Sequence, residues 1–408
     1  MNFTTYLKAS TRSPPISSFV RQCSRPLSTT AARLNANVRP QKSLAAAYYR
    51  GGTSRAIMFK RDDLPLDQGQ WNPILLGCIG SPDPYGRQLD GMGGGISSLS
   101  KVCVVGPSEH PDADVDYTFV SLGVENTHVD FSSNCGNMSA AVGPFAIDSG
   151  MMSSKAEGHE NGSSVTVRVL NTNTQKVIHV KFPVIEGEAQ ADGDFSIDGV
   201  AGTAAPVELR FIDPAGSRTG KLFPTGSRMD MIDSCPVTCI DAGNPCCFVE
   251  SANLGVSGTL TPEEIDNHPT LKRQLESIRR KAGVKMGLAS TENEVPGSIP
   301  KIGFVSKPDT EAIRVGNVVV RAMSVGQPHK AVPVTVAVAL AAAANTNGTV
   351  VSQCVVKESA TKSETTVIHA SGTLAMDAQF DFEGHLKFAT VFRTARRLME
   401  GKVFWKDT

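Results

Sequence analysis

The chain has no net charge. Its 40 basic and 40 acidic residues cancel over 408 positions, which excludes the basic excess of a protein that holds nucleic acid over much of its surface. It has no long apolar run. A helix crossing a bilayer needs ~20 apolar residues, and the nearest approach, Val332 to Ala344, is shorter and broken by Pro333 and Thr335. It has no Cys-x-x-Cys pair. Nine cysteines stand at 23, 78, 103, 135, 235, 239, 246, 247 and 354, without clustered histidines, so neither a disulfide framework nor a zinc site is expected. Most of them read as small apolar core residues. There is also no acid before Asp62. From Met1 to Lys42 seven basic residues and eleven Ser or Thr stand without one. Basic, hydroxyl-rich and acid-free is the composition of a mitochondrial presequence, and the apolar core of a secretory signal is missing. Residues 1–42 are therefore expected to be a disordered targeting segment, and the mitochondrial matrix the expected location. The remaining body keeps 33 basic against 40 acidic residues, so an anionic ligand must be held by local placement of cations.

What is present describes a loop-rich globular protein: 40% hydrophobic residues with 37 Gly and 24 Pro. The length suits two domains and a tail. Ala56–Phe59, Lys101–Val105 and Tyr117–Leu122 read as strands. Val165–Leu170 and Val177–Phe182 alternate in polarity around the loop NTNTQ and predict a hairpin. Thr261-Pro262-Glu263-Glu264 has the signature of a helix start, continuing in pieces to about Ala282. Asn137–Ile147 and Ala331–Ala344 are small and apolar with no polar face, as a helix buried on all sides would be. The two halves resemble each other: GGTSRAIMF then NCGNMSAAVGPFA, and DAGNPCCFV then GQPHKAVPVTVAVA. Each is a polar turn into a buried strand, followed by a polar turn opening an apolar helix. A duplication would face the two polar turns across a cleft, where ligands commonly bind.

Two glycine motifs carry little. GMGGG (Gly91–Gly95) lacks the G-x-G-x-x-G spacing and leads into a strand. GSRTGKL (Gly216–Leu222) is one residue short of a phosphate loop, with Leu222 in place of the metal-holding hydroxyl. Other segments are richer in chemistry. Cys135 in NCGN stands just before a buried helix, where helix N–H groups lower a thiol pKa and bind carboxylates. Lys101 follows Ser97-Ser98-Leu99-Ser100, and burial there would make it a usable base. Arg50, Thr53, Ser54 and Arg55 surround a Gly-Gly turn that suits a carboxylate clamp.

RGGTSRAIMF, SPDPYGRQLDGMGGGISSLSKV, SSNCGNMSAAVGPFAI, GKLFPTG, DAGNP and VGQPHKAVPVT, in this order from about Tyr48 onward, resemble the PrpF family. This family includes 2-methylaconitate isomerases, 4-oxalomesaconate tautomerase, methylitaconate isomerase and aconitate Δ-isomerase. The resemblance implies an α/β (α+β) diaminopimelate epimerase-like fold, with two pseudo-symmetric domains, each of strands wrapped round a central helix. The expected boundaries are 43–215 plus about 385–408 for the first domain and 216–384 for the second. It implies no cofactor and no metal. It also implies a small tricarboxylate substrate, with neither nucleic acid nor membrane as partner, and leaves room for a homodimer and a functional link to an aconitase-type hydratase. NCGN matches the first cysteine motif of the epimerases; the second cysteine, expected within GQPHKAVPVT, is absent. Lys101 matches the catalytic lysine of the family's Ser-rich motif. Gly95, Ile96, Leu99 and Arg55 depart from the usual pattern. The expected reaction moves a C=C bond by a 1,3 proton shift, with Lys101 as base and Cys135 as partner acid or substrate contact. Arg50, Thr53, Ser54, Arg55, Ser97, Ser98, Asn134, Gly136, Arg321, Gln327 and His329 are the candidate carboxylate holders. A keto–enol tautomerase and a non-catalytic protein that binds aconitate or a hydratase are the alternatives.

Overall fold

Alternation in the first two strands sends neighbouring residues into different cores, and this sets the layering. A computed structural model describes residues 41–152, 163–309, 318–356 and 364–406; the proposed targeting segment lies almost wholly outside them. Strands β1 (Lys42–Gly51) and β2 (Ser54–Lys60) pair antiparallel. Ala47, Tyr49, Ala56 and Met58 face one buried cluster, while Ala46, Tyr48, Ile57 and Phe59 face another. Helix α1 (Trp71–Ile79) covers the second face. Then come β3 (Lys101–Pro107), β4 (Val115–Leu122), β5 (Val129–Asp130), helix α2 (Gly136–Asp148), β6 (Ser164–Asn171), β7 (Lys176–Ile185), the short β8 (Glu188–Ala189) and β9 (Val207–Ile212). The expected hairpin is β6–β7.

The chain continues with β10 (Asp230–Ile232), β11 (Cys235–Ala242), β12 (Asn244–Glu250), helices α3 (Pro262–Asn267) and α4 (Leu271–Lys285), β13 (Lys301–Ser306), β14 (Val318–Ser324) and β15 (Gln327–Pro328). Helices α5 (Val334–Ala344) and α6 (Val350–Cys354) follow, then β16 (Glu364–His369), β17 (Gly372–Phe380), β18 (Leu386–Arg393) and β19 (Ala395–Trp405). Thr261 caps α3 in a capping box with Glu264. The α4 face bearing Leu271, Leu275, Ile278 and Ala282 packs on the outer side of β11–β14.

The pairing scheme repeats. β1–β2 is antiparallel, β2–β3 parallel, β3–β4 and β4–β5 antiparallel, β4–β6 parallel and β6–β7 antiparallel. β11 to β17 run through the same sequence, with β11–β12 matching β1–β2 and β16–β17 matching β6–β7. β9 and β18 join the halves antiparallel, and β19 returns to pair with β1. The register repeats too: Ile57 lies opposite Val102, and Cys247 opposite Ile302. Lys101 and Lys301 therefore open equivalent strands.

Both small-residue helices are buried, α2 from Gly136 to Ile147 and α5 along its whole length, each inside its half. Small side chains are needed there because strands press in from several sides. A Cβ at Gly143 would lie 2.6 Å from the Phe182 ring. No helix among the described residues is long and apolar enough to cross a membrane.

Candidate active site

The N-termini of α2 and α5 meet. A Cβ at Gly136 would fall 2.8 Å from Val334, so only glycine lets the two helix starts approach this closely. Cys135 is the N-cap of α2, and Pro333 is the N-cap of α5. The second helix thus starts at a proline, and the segment GQPHKAVPVT before and into it holds no cysteine. Asn244, which opens β12, holds the turn before α2: its Oδ1 accepts from the Asn134 amide at 3.0 Å, and its Nδ2 donates to the Asn134 carbonyl at 2.7 Å and to Thr335 Oγ1 at 3.0 Å.

Two crossed contacts tie each half's lysine loop to the other half. Gln327 Oε1 accepts from the Ser97 amide at 3.0 Å, and Asp130 Oδ2 accepts from the Ser298 amide at 3.1 Å. Asp130 and Gln327 are themselves equivalent, lying opposite Ser121 and Ser324. Burial pushes the Asp130 carboxyl up, but the Ser132 hydroxyl and amide, Ser298 and His128 outweigh it and leave the pKa lowered.

Lys101 is 7% exposed, with Nζ 5.2 Å from the Phe119 ring centroid and no hydrogen-bond acceptor among the described residues. Lys301 is equally buried, and its Nζ lies 3.4 Å from the Ser298 carbonyl. Burial lowers its pKa, further lowered by Lys101 and partly offset by Cys246, Cys135 and Asp130. Both lysines bear on His329: burial first, then their charges, hold its imidazole down to about 3, and its Nε2 is buried without a partner. Lys101, Lys301, Cys135 and His329 therefore form one electrostatic group. Lys301 was missed by sequence reasoning, because only the repeated register reveals it as the counterpart of Lys101.

The other expected residues divide. Ser54 is buried at the start of β2; Thr53 Oγ1 accepts from Asn137 Nδ2 at 3.2 Å. Arg55 meets Ser98 through its amide, which donates to the Ser98 carbonyl at 3.1 Å, while its guanidinium lies over Tyr48; Ser97 is held by Gln327. Arg50 is taken up in holding the turn, its Nη1 donating to the Gly52 carbonyl and to both Thr394 oxygens. Arg321 departs from the expectation: it donates to the carbonyls of Leu260 (2.6 Å), Val320 (2.9 Å) and Thr259 (3.1 Å), so its fork carries a loop. A second missed residue is Arg393, the last of β18: 7% exposed, with Nε buried and unpartnered.

The glycine motifs have structural explanations. Gly95 donates to buried Gln88, and a Cβ at Gly91 would collide with the end of α1. The loop at Ser217–Thr219 wraps the Asp241 carboxylate. Among the described residues, the group with metal-ligating character is Asp381, Glu383 and His385, on the β17–β18 turn; these are bonded to one another.

The repeated topology, with a buried helix in each half and a thiol at one helix start, defines the class: a diaminopimelate epimerase-like fold. A hydroxyproline epimerase from Agrobacterium vitis shares it, with a TM-score of 0.51 at 12% identity over 90% of this chain and 93% of that one. The family model of the PrpF protein matches residues 41–406, and the chain belongs to the PrpF family. It is 37% identical to 3-methylitaconate isomerase of Eubacterium barkeri (89% of this chain, 97% of the relative) and 38% identical to 2-methyl-aconitate isomerase of Cupriavidus necator (89% and 97%). It is 37% identical to (4E)-oxalomesaconate Delta-isomerase of Novosphingobium sp. strain KA1 (90% and 98%). A crystal structure of methylitaconate-delta-isomerase matches with a TM-score of 0.71 at 36% identity, covering 90% of this chain and 96% of that one. The chain is an isomerase.

Proposed function

We propose that this isomerase moves a C=C bond in an aconitate-type tricarboxylate by a 1,3 proton shift, without a cofactor. The observation behind the reading is the pair of buried lysines, one from each half, whose charges both bear on His329, with Cys135 bearing on Lys301. Transposition needs a base at the carbon that is allylic and α to a carboxylate, stabilisation of the resulting dienolate, and a proton returned at the far carbon. Lys101 is the base. Lys301 faces the developing negative charge, a site where fixed electrostatics contribute most. Cys135, at the start of α2, is the partner acid. Both lysines sit out of water, where charge interactions are stronger. The relatives named for 2-methyl-aconitate and oxalomesaconate, both tricarboxylates, support this substrate class, and the one named for 3-methylitaconate, a dicarboxylate, supports the bond migration. Discrimination among homologues rests on pocket contacts, since one methyl is worth only ~1–3 kcal/mol. The test is a panel of cis-aconitate, trans-aconitate, 2-methylaconitate and 4-oxalomesaconate followed by NMR in deuterated water. The expected result is an isomerised tricarboxylate with deuterium at the allylic carbons. Exchange beside the keto group of oxalomesaconate alone would favour a tautomerase instead.

A further inference from the structure

The Gly51–Thr53 turn stands on the start of α2. A Cβ at Gly51 would lie 2.5 Å from the Asn137 carbonyl oxygen, and one at Gly52 would strike the Asn137 side chain and lie 3.3 Å from Arg393 Cδ. Asn137 and Arg393 therefore flank the same glycine. The Gly52 amide donates to the Thr394 carbonyl at 2.9 Å, which fixes the end of β18 there. Both side chains have unmet hydrogen-bonding capacity. Asn137 is 6% exposed, and its Oδ1 has no partner among the described residues. Arg393 is 7% exposed, and among the described residues its one hydrogen bond runs from Nη1 to the carbonyl of its neighbour Phe392 at 3.3 Å.

The charge around Arg393 is one-sided. Burial alone lowers its pKa, to about 10; no carboxylate among the described residues offsets it. The titratable group beside it is His369, whose imidazole is held down to about 4 by burial, then by Arg393 itself, with Arg321 adding to this and Asp198 opposing. His369 is thus neutral near pH 7 and supplies no counter-charge. A buried cation without a counter-ion is costly, and such groups cluster where a ligand supplies the missing charge. A guanidinium is suited to a carboxylate, which it can grip with two parallel hydrogen bonds.

We propose that Arg393 anchors a substrate carboxylate that takes no part in the bond migration. The substrate class narrows accordingly: a carboxylate beyond the one conjugated to the moving double bond is required. This rests on the isomerase reading above, and the experiment separates the two.

The probe is tricarballylate, a saturated tricarboxylate that cannot undergo the reaction, titrated calorimetrically into the full-length protein. Wild type is expected to bind it, and Arg393→Met to bind at least about 30-fold more weakly, as expected when one partner of a buried charge pair is removed. With an acid that turns over, KM should rise by a similar factor while kcat stays within about fivefold. Asn137→Asp places a carboxylate beside Arg393 and supplies an internal counter-ion. It should raise Tm while weakening tricarballylate about tenfold, opposite signs that a merely structural role would not give. If Arg393→Met does not fold, Asn137→Asp decides alone. Tricarballylate failing to bind wild type, binding Arg393→Met within twofold of wild type, or binding Asn137→Asp unchanged would each overturn the anchor. Binding that depends on Arg393 in a protein that isomerises no unsaturated acid would leave the anchor standing and sink the reaction assigned above.

Discussion

Lys101 and Lys301 occupy equivalent strand positions yet have different surroundings. Lys101 has an aromatic face beneath it, whereas Lys301 has a carbonyl within reach and a carboxylate, Asp130, one residue contact away through Ser298. The pair divides the work if the reaction is as proposed. Lys101→Ala should lower kcat about 10³-fold or more with KM little changed, the usual scale of a lost general base. Lys301→Gln should also lower kcat, and should slow solvent deuterium exchange at the allylic carbon with it, because the dienolate formed by proton abstraction loses its stabilising charge. Cys135→Ser keeps the turn but puts a far weaker acid in place of the thiol, so turnover should be lost if the thiol is the partner acid and measurable if it is only a substrate contact. Steady-state kinetics with exchange at each carbon check all three. Near-native turnover in Lys101→Ala with a dead Cys135→Ser would make this a thiol-dependent relative of the epimerases. Of these residues, Cys135 could be singled out by its place just before a buried helix, and Lys101 by its resemblance to the family's Ser-rich motif. Lys301 follows Ser298-Ile299-Pro300, with nothing local to mark it, and Arg393 stands in an ordinary alternating strand.

The β6–β7 hairpin shows the same limit for an element. Its period-2 pattern made it readable, but the role of its loop was not. Asn173 is buried there: its Oδ1 accepts from the Phe119 amide at 2.8 Å, and its Nδ2 donates to the carbonyls of Phe119 (2.9 Å) and Phe131 (2.8 Å). Phe119 lies under Lys101, and Phe131 follows Asp130. Asn173→Asp turns the two donors into acceptors facing carbonyls. It should cost about 1–3 kcal/mol in urea unfolding, as for a buried polar group left unpaired. It should also lower kcat about tenfold or more, since small displacements of a catalytic group are expensive. Loss of stability with kcat unchanged would confine Asn173 to a structural role. The buried helices were legible for a simpler reason: AVPVTVAVALAAAA has no polar face to show to water.

Across the whole molecule, stability should depend on acid through two histidines. In the folded state His329 titrates at about 3 and His369 at about 4, both pushed down first by burial; in the unfolded chain each titrates near ~6.5. Between these values the unfolded state binds the extra proton, so stability is fully present above about pH 6.5 and falls as pH drops toward 4. His369→Gln should flatten that fall by up to ~1.4 kcal/mol per pH unit, read from urea midpoints between pH 7 and 5; an unchanged slope would show that His369 is not the group responsible. The sequence by itself determined the elements, the two apolar helices, the duplication and the Ser-rich and NCGN motifs of the first half. Those rest on periodicity, capping and composition, which act over a few neighbouring residues. Only the tertiary structure decided that Gly136 packs on Val334, that Lys301 opens the strand equivalent to that of Lys101, that Arg321 holds a loop and that Arg393 lies by Gly52. These are contacts between residues up to 341 positions apart, and what brings them together is the burial of two helices inside one continuous set of strands, which no local pattern encodes.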